Sequence, residues 1–499
     1  MKKIFTKNTV KAVAFLLVFA SLFISLDAVL KFKYSESIIP VKAFYEQEED
    51  TIDVLIVGSS HSYSDFRPDI LWNNYGYSAY VLGASLQPMW NSYYYIEEAL
   101  KTQSPEVIIL EGYRLAETKE YTTPYYAIKN TYGLRWSETK YNAMAASFEP
   151  DKLSEYIFEF SNYHSRYSDL SKGDFTPYIN NEYYRYYKGE ICETKTYELP
   201  ETDISGYSDK AVPLAEKTQE YYIKILELAK ANNIELITVV APYNMPAHEY
   251  GYFKTGEKIA ESYGMPFING NELYEELELD FASDFRDEYG HLNDKGAAKI
   301  TKYVGDFIKD NYNLTDRRND SRYASWQTYA EEFNRYVLNP VKNSDDITEY
   351  ISICEKQNDY SYVFVINSYD KLSEYLSESI NTVLTQFGIP AENITDGIYV
   401  IKNSKVEYFS SSTDVDKALQ LDSDYSIRLK YGDVSFNMPT LNRECFYVCI
   451  NNNKNIHTTP LGITMIVYDN KYNKLVESIS LLSDIDSFER NTQITVATK

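Results

Sequence analysis

Three apolar runs follow one another early in the chain: TIDVLIVGSSH at 51–61, YSAYVLGAS at 77–85 and PEVIILEG at 105–112. Each is apolar along its length rather than at alternate positions, the pattern of strands buried on both faces. Helical character between Met89 and Lys101 separates the second run from the third. Strands joined through helix-length segments pair in parallel by right-handed crossovers, so the expectation is an α/β unit built on a three-layer parallel sheet. The rhythm breaks at about Tyr113, and a Tyr-rich stretch to about Asp209 reads as an insertion. It resumes with the helix VPLAEKTQEYYIKILELAKANN, the strand IELITVVAP and the segment GMPFINGN. It closes with HLNDKGAAKITKYVGDFIKDN, where Asn293 and Asp294 supply N-cap chemistry.

The polar stretch NLTDRRNDSRYASWQ ends this unit. The expected organisation is an N-terminal segment 1–33, an α/β domain 34–312, a linker 313–344 and a C-terminal domain 345–499. The last part holds several apolar strands, one helix and turn residues such as Asp469 and Asn470, which suggests a β-rich or α+β fold.

Between Lys11 and Lys31 lies AVAFLLVFASLFISLDAVL, nineteen residues with Asp27 as the only charge. A helix of that length covers about 28 Å, near the ~30 Å hydrocarbon thickness of a bilayer. A cleaved signal peptide is the rival, but Leu26 and Ala28 make a poor cleavage site, which favours an uncleaved signal anchor. The N-terminal lysines would stay on the cytoplasmic side, and the chain after about Lys33, its bulk, would be extracytoplasmic. A short stalk from Tyr34 to Asp50 would then carry the α/β unit. The formal charge of −24 argues against nucleic acid as a partner. Four scattered cysteines make no disulfide framework, and Cys445 and Cys449 in CFYVC would sit about 13 Å apart on one strand. No metal or cofactor is expected. Gly58 and Gly83 form no dinucleotide fingerprint, because no further glycines follow at the required spacing.

Chemistry concentrates at two loops. Gly58-Ser59-Ser60-His61 sits where the first strand should meet a helix, and Asp287-Glu288-Tyr289-Gly290-His291 precedes the last helix of the unit. Switch-point loops of this kind are where open α/β sheets hold ligands. A serine hydroxyl becomes a nucleophile once a histidine takes its proton, and that histidine needs a carboxylate to fix its tautomer. Ser60, His291 and either Asp287 or Glu288 are the candidates, with Glu288 at three residues before the histidine and Asp287 at four. His61 is read either as positioning substrate or as capping the helix. His164, His248 and His457 lack carboxylate or thiol neighbours at ligand spacing and read as structural.

The order of these blocks resembles the SGNH, or GDSL-type, hydrolase superfamily over about residues 50–312. GSSHSYSDFRP together with GHLNDKGA is similar to membrane-anchored SGNH-like proteins of bacterial envelope-polymer acylation systems. The resemblance implies a flavodoxin-like sheet, Ser60 as nucleophile, Ser59 in place of the usual Asp, and His291 as base. It also implies an oxyanion hole from the backbone N–H groups of Ser60 and Gly83. The sequence departs from the family at the third block, normally Gly-x-Asn-Asp, which reads Glu111-Gly112-Tyr113-Arg114. The activity implied is that of an extracytoplasmic serine esterase or O-acyltransferase acting on acyl groups, acetyl first, of an envelope polysaccharide. The alternative is a non-catalytic glycan-binding or assembly protein that partners a membrane-bound O-acyltransferase. Residues about 345–490 resemble the interleukin-like EMT inducer domain, which implies glycan binding. Tyrosines of the insertion, including Tyr183, Tyr184, Tyr186 and Tyr187, are expected to roof the Ser60 site, since an insertion after the third strand leaves from the same edge. The rival is that the insertion packs against the C-terminal domain.

Overall fold

The computed structural model describes residues 7–170, 174–175 and 186–338 and, with gaps, 341–496. The chain divides into two compact units, Met1–Val337 and Leu338–Lys499.

The first unit is built on five parallel strands: β1 (Val54–Gly58), β2 (Ala79–Gly83), β3 (Val107–Glu111), β4 (Glu235–Val240) and β5 (Phe267–Asn269). Their order across the sheet is β2-β1-β3-β4-β5, so the order reverses between β1 and β3. Gly58 pairs with Gly83, and Val57 with Leu110, so the carboxyl ends of β1, β2 and β3 finish level. All fifteen residues of those three strands are buried. Successive side chains point to opposite faces, so burial on both faces requires a helical layer on each side. Val54, Ile56, Ile109, Ile237 and Val239 share one core with Ile300, Val304 and Ile308. The latter three lie on the last helix, Asp294–Asn311, at the spacing of an amphipathic face. As expected, Asn293 caps it: its Oδ1 accepts from the N–H of Lys295 at 3.0 Å and of Gly296 at 3.2 Å.

Two expectations about connecting segments change. The residues expected as a linker carry the helix Ala324–Tyr336, which packs back on the first unit. Trp326 is buried and donates its indole N–H to the Ala79 carbonyl at 2.9 Å, and Trp72 donates to Gln327 Oε1 at 2.9 Å. Aromatic anchors in SRYASWQTYAEEF hold the stretch down, although its polar residues dominate by count. The residues expected as a stalk are likewise built in. Helix α2 (Ile38–Phe44) buries Pro40, Val41, Ala43 and Phe44, Tyr80 donates its hydroxyl to the Pro40 carbonyl, and Asp50 N–H donates to the Thr102 carbonyl at 3.1 Å.

Helix α1 (Lys7–Leu30) contains one stretch, Val10–Leu30, long and apolar enough to cross a membrane. The first half of the insertion forms α6 (Pro124–Thr131), α7 (Glu138–Ser147), α8 (Leu153–Ile157) and α9 (Phe160–Tyr163). These helices gather around Leu30 in a second core of Ala127, Tyr132, Met144, Phe148 and Tyr163. The end of the insertion runs as an extended strap along the α/β unit. Val81 N–H donates to the Lys188 carbonyl, Ile191 N–H to Tyr63, Tyr197 N–H to Phe285 and Leu199 N–H to Phe281.

The second unit holds two antiparallel sheets: one runs across Phe488–Arg490, Lys474–Leu481, Gly462–Asp469, Tyr360–Asn367, Gly397–Lys402 and Lys405–Ser411, and the other across Lys454–His457, Asn442–Ile450, Tyr425–Ser435 and Thr495–Val496, with Ala418–Asp422 also paired to Tyr425–Ser435. Cys445 and Cys449 lie on one strand, Asn442–Ile450. The expectation of a β-rich C-terminal part holds.

Candidate active site

The first strand ends in Gly58 because Glu111 of β3 lies alongside: a Cβ at Gly58 would come within 2.4 Å of the Glu111 Cβ. Ser59 is the N-cap residue of the short helix α3 (Ser60–Asp65), yet its hydroxyl serves another purpose. It donates to Glu111 Oε2 at 2.7 Å, and the Ser59 backbone N–H donates to the same oxygen at 3.1 Å. The other Glu111 oxygen accepts from Tyr113 N–H. Glu111 thus clasps the end of β1 to the start of the segment after β3, and burial pushes its carboxyl above the usual range despite the hydrogen bond from Ser59.

This clasp presents Ser60, which is 9% exposed, to His291. The Ser60 Oγ to His291 Nε2 distance is 2.8 Å. On the other side of the ring Nδ1 lies 2.8 Å from Asp287 Oδ2 and 3.0 Å from Oδ1. The carboxylate between the two candidates is therefore Asp287. Glu288 is exposed at the tip of the turn, and among the described residues its carboxylate meets no hydrogen-bond partner. The turn explains the choice. Asp287 Oδ1 accepts the backbone N–H of Tyr289 at 3.0 Å, folding the side chain over its own turn. Gly290 follows with φ 80°, and a Cβ there would press on Tyr243 and Asn244. Arg286 N–H closes the loop on the His291 carbonyl at 3.0 Å.

Burial pushes Asp287 up, but the hydrogen bond and charge of His291 and the charge of Arg286 outweigh it, and the carboxyl ends below its usual value. An ionised Asp287 makes His291 Nδ1–H the donor and leaves Nε2 as the acceptor of the Ser60 hydroxyl proton. Burial lowers His291 below 6.5, opposed by Asp287, so the imidazole is neutral at pH 7. The arrangement is able to transfer the hydroxyl proton to Nε2 as Oγ attacks an electrophile, with Asp287 stabilising the imidazolium that forms.

Residues outside the sequence-based candidates complete the site. Arg286 approaches Asp287 Oδ2 with Nε at 3.5 Å, donates from Nη2 to Ser64 Oγ at 2.7 Å and from Nη1 to the Ile191 carbonyl at 2.8 Å. It ties the Asp287 loop to α3 and to the strap. His61 is not a cap. Its Nδ1 lies 2.7 Å from Asp65 Oδ2, and Asp65 Oδ1 accepts from Leu292 N–H at 2.9 Å. The His61 ring packs between His291 at 4.6 Å and Tyr113 at 4.5 Å, centroid to centroid. Asp65 was legible as an acid four residues from a histidine, the same spacing as Asp287 and His291. Glu111 was legible as an acid ending a wholly apolar strand. Arg286 carried no signal beyond its place beside Asp287.

Gly83 ends β2 level with Gly58, and Ser62 Oγ would lie 2.2 Å from any Cβ there. The third block supplies no asparagine. Tyr113 stands against His61, and Tyr289 is exposed with its ring 6.4 Å from His291. Of the tyrosines expected to roof the site, Tyr183 and Tyr184 fall outside the described residues, while Tyr186 and Tyr187 are half-buried. Among the described residues no group of three or more His, Cys, Asp or Glu is arranged to hold a metal. Compared with known proteins, the chain matches no protein-family model and no curated protein.

Proposed function

We propose that the protein is a membrane-anchored serine esterase or O-acyltransferase of the SGNH superfamily, acting outside the cytoplasm on acyl groups of an envelope polysaccharide. The observation that carries this reading is the unbroken line Ser60 Oγ, His291 Nε2, His291 Nδ1, Asp287, with both contacts at 2.8 Å. The strand order 2-1-3-4-5, a flavodoxin-like order, and the location of Ser60 at the carboxyl end of β1 support it. Ser60 attacks the acyl carbonyl, and His291 takes the hydroxyl proton. The tetrahedral oxyanion is held by the backbone N–H groups of Ser60 and Gly83. His291 then returns the proton to the leaving sugar oxygen, which leaves an acyl-Ser60 ester. Water completes hydrolysis, and a sugar hydroxyl completes transfer. With no asparagine in the third block, one oxyanion donor is missing, which costs about 10²- to 10³-fold in rate. A slow enzyme is therefore expected. Exposed Tyr289 and half-buried Tyr113 offer ring faces of the kind that pack on sugars.

The test uses the full chain in detergent or nanodiscs with p-nitrophenyl acetate and with O-acetylated polysaccharide. Release of acetate that is lost in Ser60→Ala supports the reading. Equal release by both proteins contradicts it. The second reading, a glycan-binding partner of a membrane O-acyltransferase, is favoured by the absent third-block asparagine. It requires equal glycan binding by wild type and Ser60→Ala with no acetate release from either.

A further inference from the structure

The end of α1 does not stand clear of the rest of its unit. Asp27, one turn from the end of the apolar stretch, accepts the hydroxyl of Tyr163 and pairs with Lys31 at 2.9 Å. Arg166 donates from Nη1 to the carbonyls of Leu30 and Lys31, each at 2.6 Å, covering the open end of the helix. Lys33 Nζ turns back to the Val29 carbonyl at 2.8 Å. The Phe160 ring lies 5.0 Å from Phe23, and Phe32 meets the edge of Tyr163 at 5.8 Å. These contacts fix α9 and the turn that carries Arg166 beside the last two turns of α1.

The lysines set the depth of those turns. Lys11 and Lys31 are twenty residues apart, about 30 Å along a helix, which matches the hydrocarbon thickness. Sliding the span toward the N-terminus would drag Lys11 and Lys7 into hydrocarbon, which is unfavourable for a charged side chain. With Lys31 at the outer boundary, Phe23 sits about 10 Å below Leu30 and Asp27 about 4–5 Å below it. Phe160 touches Phe23, so the segment carrying it lies below the boundary too. The surface there presents two exposed rings among polar residues such as Glu155, His164 and Asp169. Phe158 is 61% exposed, next to Phe160 at 6.2 Å between rings, and Tyr167 is 74% exposed. Trp136, also exposed, lies beyond Lys140, whose ammonium sits 5.0 Å from its ring and pairs with Glu159. Exposed aromatics beside a span, with Lys and Arg at the same level, are the composition of a membrane interface. A stalk-mounted domain would have no reason to expose them there.

We infer that residues 153–170 are seated in the outer leaflet of the membrane that α1 crosses, with Phe158, Phe160 and Tyr167 in lipid. The α/β unit is thereby held on the bilayer at fixed height instead of swinging on a tether. Asp27 is tolerated in the span because Tyr163 and Lys31 satisfy it from the same interface. The inference rests on α1 being an uncleaved anchor and does not depend on the chemistry of Ser60.

The experiment reads tryptophan fluorescence from the full chain in liposomes containing phospholipids brominated along the acyl chain. Trp72, Trp90 and Trp326 are buried, so Trp136→Phe leaves a quiet background for one added reporter. Phe158→Trp is the test, and Phe19→Trp, in the middle of α1, reports on the anchor alone. The expected result is loss of emission to bromolipid at both positions, strongest at 19, with position 158 shielded from acrylamide in the water. Quenching at 19 with acrylamide access at 158 overturns the seating and leaves the anchor standing. Protection at 158 from both quenchers also overturns it and means that a second protein surface covers the patch. No bromolipid quenching at 19 overturns the anchor and the seating together.

Discussion

Two histidine–aspartate pairs lie side by side at the carboxyl edge of the sheet, and they differ in what surrounds the carboxylate. His291 and Asp287 are four residues apart and in contact at 2.8 Å; His61 and Asp65 are also four apart, in contact at 2.7 Å. Asp287 is partly open to solvent with Arg286 beside it, and its carboxyl is held below the usual value. Asp65 is wholly buried, and burial pushes it up to about 8. His61 is buried too and is pushed down. The first pair therefore carries a fixed negative charge that supports a base, whereas the second shares a proton and carries little charge at neutral pH. Residue type and spacing are the same in both, so environment alone separates a base that faces the serine from a pair that braces it.

Each variant that follows strikes one side of this comparison. His291→Ala removes the imidazole that contacts Ser60 Oγ and is expected to lower the acyl-transfer or hydrolysis rate by roughly 10⁴- to 10⁶-fold in kcat, read with p-nitrophenyl acetate. If His61 were able to substitute, the loss would be far smaller. Asp287→Asn keeps the shape but removes the charge and the preferred tautomer, with an expected loss of roughly 10³- to 10⁴-fold.

Asp65→Asn acts on stability. The Asp65 pKa is raised in the folded protein above its unfolded value near 3.9, so its contribution is present in full below that value. It is lost as pH rises toward about 8. Thermal melts of the wild type should lose stability across that window. Asn, neutral at every pH and able to keep both hydrogen bonds, should flatten the curve. A slope unchanged by Asp65→Asn would show that the aspartate is already ionised at low pH.

His61→Gln retains a polar group toward Asp65 and is expected to cost about one hydrogen bond in the site, roughly 5- to 10-fold in kcat/KM. Glu288→Gln, at the exposed tip, should leave kcat/KM unchanged, and a loss comparable with that of Asp287→Asn would reverse the assignment of the acid.

The parts legible in the sequence are those set by local pattern. Continuous apolar runs ending in glycine revealed β1, β2 and β3, and Asn293 announced the last helix. Ser60 and His291 were legible as chemistry-bearing residues at two strand-to-helix loops. The acid was not, because Asp287 and Glu288 differ by one residue and the choice depends on the Asx turn over Tyr289. Asp65 shows its pairing with His61 by spacing, but its hold on Leu292, like the contacts of Glu111 with Ser59 and of Arg286 with Ser64, joins residues 227, 52 and 222 positions apart, which spacing does not reveal. The stalk and the linker were misread for one shared reason. Both are polar by composition, yet a few aromatic or apolar residues, Phe44 in one and Trp326 in the other, decide that they pack.

Whether a neutral His291 is the base for a nucleophilic Ser60 is read from the rate at which a fluorophosphonate labels Ser60 as a function of pH. A single adduct on the peptide carrying Ser60 is expected. Its rate should fall as pH drops through a value below 6.5, because burial keeps His291 unprotonated further into acid than a free imidazole. Ser60→Ala should abolish the adduct, and His291→Gln should reduce it to background at every pH. No adduct on the wild type, or labelling of Ser60 that is indifferent to His291→Gln, would contradict the claim.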